Sequence, residues 1–414
     1  MVQALTWTFL AALAAATATR LWLAVRQVRY VAAHRDAVPE AFAAAIPLAE
    51  HRKAADYTAA KTRLGMLHVV AAAAGVLVLT LGGLLQWLGG QWARLLEHGG
   101  LAHGTALVAT VVLLAGALEL PFGVYRTFVI EERFGFNRMT PRLFVSDLLK
   151  HALLEAAIGL PLAAVVLWLM AAMGPAWWLY AWAFWLVYSL AYTLAYPRWI
   201  MPLFNRFSPV ADPQLAGRVE ALLARCGFRS SGLYVMDGSK RSSHGNAFFI
   251  GLGATKRIVL FDTLVDRLAP GEVEAVLAHE LGHFRLRHIL KSLAIGGALA
   301  LGLLWGLGQL MQERWFFEGL GLATPSTAGA LVLFGVALPP FLFFASPLAS
   351  RYSRRNEFQA DAYAAAHASA ADLVAALVKL YKDNAATLTP DPLHSAFYDS
   401  HPPAASRIAR LRAS

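Results

Sequence analysis

From Ala156 to Tyr196 the chain carries no charged side chain. Roughly 20 residues of helix cross a hydrocarbon core, so this run is too long for one crossing. Met173-Gly174-Pro175 is a turn signal in its middle, which predicts a tight helical hairpin of segments 152–172 and 176–196. Five more stretches are long and apolar enough to cross, at 4–25, 65–88, 101–120, 292–312 and 326–348. With 58% hydrophobic and 15% charged residues and a mean hydropathy of +0.51, the chain reads as a polytopic membrane protein. Its start, "MVQALTWTFL", lacks the basic region of a cleaved signal peptide, so the first segment is expected to stay as a helix.

The charges test the count of seven. Arg26, Arg29, Arg35, Arg52, Lys53, Lys61 and Arg63 lie between segments one and two, and Arg126, Arg133, Arg138 and Arg142 between three and four. A basic stretch runs from Arg198 to Arg287, and Arg351, Arg354, Arg355, Arg407, Arg410 and Arg412 follow segment seven. The alternate connections hold Arg94 and Arg314. Seven crossings put every basic loop on one side, as the positive-inside rule requires, with the C-terminus in the cytoplasm. The net charge of +10 then reflects orientation in a lipid bilayer, and no nucleic-acid partner is expected.

Two cytoplasmic pieces can carry soluble chemistry, giving the expected organisation: 1–197, five membrane helices with their loops; 198–290, a cytoplasmic segment; 291–349, helices six and seven; 350–414, a C-terminal cytoplasmic segment. In the first soluble piece, Pro213 to Arg225 alternates like an amphipathic helix and "GLYVMDG" reads as a short strand. Asn246–Ile250 and Arg257–Phe261 flank a Gly-rich turn and read as a hairpin. Pro270-Gly271-Glu272 opens a helix, which could run on into segment six.

That helix carries His279, Glu280 and His283, an HExxH pattern that sets two imidazoles one turn apart on one face. One zinc ion per chain fits between them, because the single cysteine, Cys226, excludes a multi-cysteine site. Zinc lowers the pKa of bound water toward roughly 7, and Glu280 stands where it can take the proton. A catalytic zinc needs a third protein ligand. In "RRNEFQADAYAAA", Glu357 and Asp361 share a helical face; Glu357 can complete a His2Glu site, and Asp361 could accept from a ligand histidine's other N–H. Segment six begins just after His283 and segment seven ends just before Glu357, so both half-sites sit at the cytoplasmic ends of neighbouring helices. His288 is five residues past His283 and is expected off its face; His68, His151, His367 and His394 are expected at the surface or in packing. His401 and Arg407, in "DSHPPAASRIARL", are candidates to stabilise a developing oxyanion.

Six stretches carry a wider resemblance: "YRTFVIEERFGFNRMT" from Tyr125, "PLFNRFSP" from Pro202, "GNAFFIGLGATKRIVLFDTLV" from Gly245, "HELGH" from His279, "NEFQADAYA" from Asn356 and "SHPPAASRI" from Ser400. In that order and spacing, the chain resembles the type I CAAX prenyl endopeptidases, seven-helix membrane zinc metalloproteases. The resemblance implies a mainly α fold whose seven helices enclose a chamber, with a cytoplasmic α+β zincin-like domain built from two sequence segments. It implies a gluzincin site, with His279, His283 and Glu357 as ligands, Glu280 as general base and Asp361 behind the ligands. His401 and Arg407 match the family's substrate-contacting and site-organising positions. Asn246, Ala247, Phe248 and Phe249 match an edge strand that pairs with the bound peptide, in keeping with the hairpin read above.

The substrate implied is a peptide or protein tail, prenylated in CAAX proteins. A compact, Ala-rich chain without the long insertions of some eukaryotic members points to a bacterial cytoplasmic membrane; a eukaryotic member would sit in the endoplasmic reticulum. The rival readings are a membrane quality-control protease with no lipid requirement and a transporter or scaffold with a structural metal. The second predicts ionisable residues deep within several crossings, whereas Arg20, Glu119 and Glu155 lie near segment ends.

Overall fold

The computed structural model describes residues 1–228, 232–250 and 257–413. The Gly-rich turn expected between the hairpin strands lies outside them. The long helices are α1 (Val2–Ala33), α2 (Leu48–Leu79), α3 (Leu101–Tyr125, continued by a π-helical turn Arg126–Glu131), α4 (Pro141–Ala172) and α5 (Trp177–Ala195). After the sheet region come α6 (Pro213–Arg225), α7 (Pro270–Arg285), α8 (His288–Leu310), α9 (Thr327–Leu342), α10 (Ser346–His367), α11 (Ala370–Asp383) and α12 (Ala404–Arg412). Six helical stretches among the described residues are long and apolar enough to cross a membrane, with α9 and α10 forming one continuous stretch, Thr327–His367. The helix expected at 176–196 is present as α5; its four Trp and three Tyr lower its mean hydropathy and leave it outside that set.

Several boundaries differ from the sequence reading. The segment expected at 65–88 begins a helix as early as Leu48 and breaks after Leu79. A Cβ on Gly82 would stand 2.8 Å from the backbone of Val78, and Gly83 is left-handed at φ +76°, so the chain turns there before a short helix, Leu84–Trp92. Phe9, Leu85, Leu107, Trp177, Leu307 and Phe317 knit the helices into one core. Outward from it, Trp7, Leu113, Leu153, Val187 and Ile289 stay exposed, as side chains that face lipid do.

A four-stranded sheet supports the second core. Its strands β1 (Phe207–Pro209), β2 (Leu233–Met236), β3 (Ala247–Ile250) and β4 (Arg257–Phe261) lie in the order β1-β2-β4-β3. The hairpin forms as expected, β3 antiparallel to β4 with Phe248 opposite Val259, and β3 is left as an edge. Alternation divides β4 between two layers: Ile258 and Leu260 pack with Leu277 and Leu281 of α7, Leu222 of α6 and Leu373 of α11. Val259 points the other way, against Met201 and Met236.

Candidate metal centre

The site forms where α7 lies against α10, and a glycine sets that approach. A Cβ on Gly282 would stand 3.0 Å from Ala360 Cα, 3.1 Å from Tyr363 Cβ and 3.2 Å from Ala360 O. The glycine inside HELGH therefore lets the two helix backbones close to a distance that another residue would prevent. At that distance His279 and His283, one turn apart on α7, face Glu357 on α10.

His279 Nε2 and His283 Nε2 are 3.2 Å apart. Glu357 reaches both, Oε1 at 3.3 Å from His283 Nε2 and Oε2 at 3.5 Å from His279 Nε2. Bonds of about 2.0–2.1 Å in a tetrahedron separate neighbouring ligand atoms by about 3.3–3.4 Å, so the three donors fit one small, tetrahedrally bound cation. Among the described residues these three form the group of His, Cys, Asp and Glu side chains able to hold a metal ion.

Further groups hold these three side chains in place. Asp361 Oδ1 stands 2.8 Å from His279 Nδ1, which puts the proton on Nδ1 and leaves Nε2 free to ligate. Arg407 grips Asp361 with two bonds, Nε to Oδ2 at 2.8 Å and Nη2 to Oδ1 at 2.6 Å. His279, Glu357, Asp361 and Arg407 are each at most 6% exposed, so this charge network is largely desolvated, and its pairs are held with hydrogen-bonded geometry. Burial alone would lower the pKa of His279, but its bonds to Asp361 and Glu357 outweigh that and raise it to about 9.

Glu280 lines a cavity of about 190 Å³, which Asn246, Ala247, His279, His401 and Arg407 also line. Burial pushes its carboxyl above the usual range, an effect partly offset by His279 and His283. His401 Nδ1 lies 2.7 Å from Glu357 Oε2, and its side chain is 61% exposed, so its ring sits at the rim. Arg407 is buried and committed to Asp361. The edge strand also reaches this cavity: Asn246 Oδ1 accepts from the N–H of Ala247 at 2.8 Å, and Phe249 packs on Phe284 of α7 with ring centroids 5.4 Å apart.

Some residues were not singled out by the sequence reading. Asn384 Oδ1 accepts from the N–H of Gly245 at 3.2 Å and fixes the entry to β3. Phe136 O accepts from Ser243 N at 3.2 Å and Asn137 bridges to Ser242, so the "FGFN" stretch braces the same entry from the opposite side. The largest departure is His288. The helix does not run on into segment six: Arg287 is left-handed at φ +58°, α7 ends at Arg285 and α8 starts at His288. This break returns His288 to the site, with Nδ1 at 3.0 Å from His283 Nδ1, contrary to the placement expected from an unbroken helix. Nothing in "FRLRH" signals it, because neither Leu286 nor Arg287 is a helix breaker.

Comparisons with known proteins identify the family of the chain. Residues 27–206 match the CAAX prenyl protease N-terminal family, five membrane helices, and residues 209–414 match peptidase family M48. A CAAX prenyl protease 1 homolog of Arabidopsis thaliana is 37% identical over 336 residues, covering 80% of this chain and 79% of that protein. CAAX prenyl protease 1 of Saccharomyces cerevisiae is 35% identical over 327 residues, covering 75% and 72%. The crystal structure of S. mikatae Ste24p superposes with a TM-score of 0.91 at 29% identity, covering 98% of this chain and 99% of that one. These relatives are eukaryotic and lend no support to a bacterial source. The protein is a multi-pass integral membrane metalloendopeptidase, and the chain belongs to the CAAX prenyl protease family within peptidase family M48.

Proposed function

We propose that the protein is a zinc endopeptidase that cuts prenylated CAAX-type protein tails, with His279, His283 and Glu357 as the metal ligands and Glu280 as the general base. The observation that carries this reading is the convergence of three donor atoms at the edge lengths of a zinc tetrahedron, with the half-buried carboxyl of Glu280 lining a cavity beside them. A zinc ion held there supplies Lewis acidity, polarising a carbonyl and lowering the pKa of water. Glu280, as a carboxylate, takes the proton of the water that adds to the scissile carbonyl carbon. When the C–N bond breaks, it hands that proton to the leaving nitrogen. Asp361 holds His279 in the ligating tautomer, and Arg407 holds Asp361. His401, at the rim, donates to the substrate oxygen as charge develops there.

Asn246, Ala247, Phe248 and Phe249 seat the peptide as an added strand. Asn246 O accepts from Phe261 N, so ladder alternation turns the N–H groups of Ala247 and Phe249 toward the free edge of β3. Backbone pairing of this kind reads extended conformation and makes little demand on side chains. The names of the relatives, CAAX prenyl proteases, support a prenylated substrate. With α5 counted, the chain makes seven crossings in this reading, and the site is on the cytoplasmic side, with the soluble chemistry in 198–290 and 350–414. The basic loops support this orientation.

The test is cleavage of a farnesylated CAAX peptide and its unlipidated twin by purified protein, with and without a chelator, and with Glu280→Gln as the blank. The reading expects chelator-sensitive cleavage that is absent in the mutant and faster for the farnesylated peptide. Turnover by Glu280→Gln at the normal rate would remove the general base, and equal rates for the twins would remove the prenyl requirement.

A further inference from the structure

We infer that His288 is a positioning residue for the metal site, the acceptor that fixes the tautomer of His283 through a neutral relay anchored on Gln359. The inference rests on the reading of His279, His283 and Glu357 as ligands.

The two ligand histidines have different partners behind them. His279 backs onto a carboxylate, Asp361 at 2.8 Å. His283 has His288 Nδ1 at 3.0 Å from its own Nδ1, and His288 Nε2 lies 3.0 Å from Gln359 Oε1. Protons can be assigned along this line in one consistent way. His283 Nε2 points at His279 Nε2 and Glu357 Oε1, so as a ligand it carries no proton, and the proton must sit on Nδ1. That N–H needs an acceptor, so His288 Nδ1 is bare and the proton of His288 is on Nε2. It donates to the Gln359 carbonyl oxygen. Placing Gln359 with its amide nitrogen toward His288 would reverse the chain and set two N–H groups against each other at the histidine pair.

The backbone is shaped to make this contact. In an unbroken helix, residue 288 would stand about 140° round the axis from residue 283. The left-handed turn at Arg287 removes that offset, and His288 ends up buried. The relay is also chemically distinct from the Asp361 arm. It orients a ligand without adding a second carboxylate, so it leaves more of the cation's positive charge available to a substrate carbonyl.

The test measures zinc affinity of the full-length protein by competition with a chromophoric chelator, and the visible spectrum of the cobalt(II) form. Four variants are compared: His288→Leu, His288→Asn, His288→Gln and Gln359→Leu. Asparagine sets its amide oxygen near the place of Nδ1 and can still accept from His283, whereas glutamine sets its amide near the place of Nε2 and cannot. The relay expects His288→Leu and His288→Gln to weaken zinc binding about 10–100-fold and His288→Asn to stay within about 3-fold of wild type. Gln359→Leu, which leaves the His288 tautomer unanchored, is expected to fall between, and the cobalt spectrum should change in His288→Leu. Melting of the metal-free variants tells apart a folding defect from a site defect; if His288→Leu does not fold, the Asn and Gln pair decides. Wild-type zinc affinity in His288→Leu, or Asn and Gln losing equally, overturns the relay. His283→Ala is the reference: if it too keeps full affinity, the ligand assignment itself fails, and if it alone loses zinc, only the relay fails.

Discussion

Gly282→Ala puts a single methyl into the contact that assembles the site. Its Cβ would meet Ala360 Cα at 3.0 Å, Tyr363 Cβ at 3.1 Å and Ala360 O at 3.2 Å, where ordinary contact lies at about 3.5–4.0 Å. All three obstacles belong to the α10 backbone or to a Cβ, so no rotamer change relieves them, and α7 and α10 must part by about 0.5 Å or more. Alanine gains about 1 kcal/mol over glycine in helix propensity, against about 1–3 kcal/mol for overpacking a tight contact. The expected net loss of fold stability is therefore small, about 0–2 kcal/mol. The metal site is less tolerant, because donor distances must hold within about 0.2 Å, and the parting moves Glu357 away from both histidines. Zinc affinity should fall about 10–100-fold, with thermal unfolding of the metal-free protein nearly unchanged. Chelator competition and a melting curve on the same preparation measure the two effects. Wild-type zinc affinity in Gly282→Ala would refute the claim that this glycine sets the ligand spacing.

The metal-free site supplies a second expectation. His279, raised to about 9, is protonated below that value and must lose a proton to ligate. Zinc uptake should then release close to one proton per ion at pH 7–8, and apparent affinity should fall as pH drops below about 9; titration in a weakly buffered solution with a pH indicator would show it, and uptake without proton release would contradict it. Arg407→Lys keeps the charge but loses the two-pronged grip on Asp361, so it should cost about 10–100-fold in zinc affinity, read by the same competition; full affinity would remove Arg407 as an organiser. For orientation, cysteines placed at Arg314 and Arg267 in a Cys226→Ser background should label from outside and from the cytoplasm respectively. The reverse pattern would invert the proposed topology.

Much of this site was legible because its signals are local. α6 spans Pro213–Arg225 and the hairpin strands fall at the expected positions, since amphipathic period and alternation act over a few residues. HExxH and ExxxD each encode one helical face, so the four groups could be named before their meeting was seen. The parallel pairing of β2 with β4 was not legible, because β3 intervenes in sequence and no local pattern announces a crossover. Gly282 stood in the motif as a spacer, and its purpose is visible only against Ala360. His288 was misplaced for a related reason: a left-handed arginine follows from packing around it, and the sequence of α7 and α8 reads as one helix.

The halves of the centre also stand far apart in time. His279 and His283 leave the ribosome well before Glu357, Asp361 and Arg407, with α8 and α9 between them. At about 5–20 residues per second, the roughly 120 positions from His283 to Arg407 take about 6–25 seconds to make. Glu357 and Asp361 are added about 75 positions after His283 and Arg407 about 45 positions later, so the HExxH pair waits for each of the partners proposed for it. On the proposed assignment the centre is therefore incomplete while the chain is being inserted. With those roles, turnover begins only when the last long membrane helix is in place and the tail has folded back, and a product truncated before Glu357 is expected to be inert.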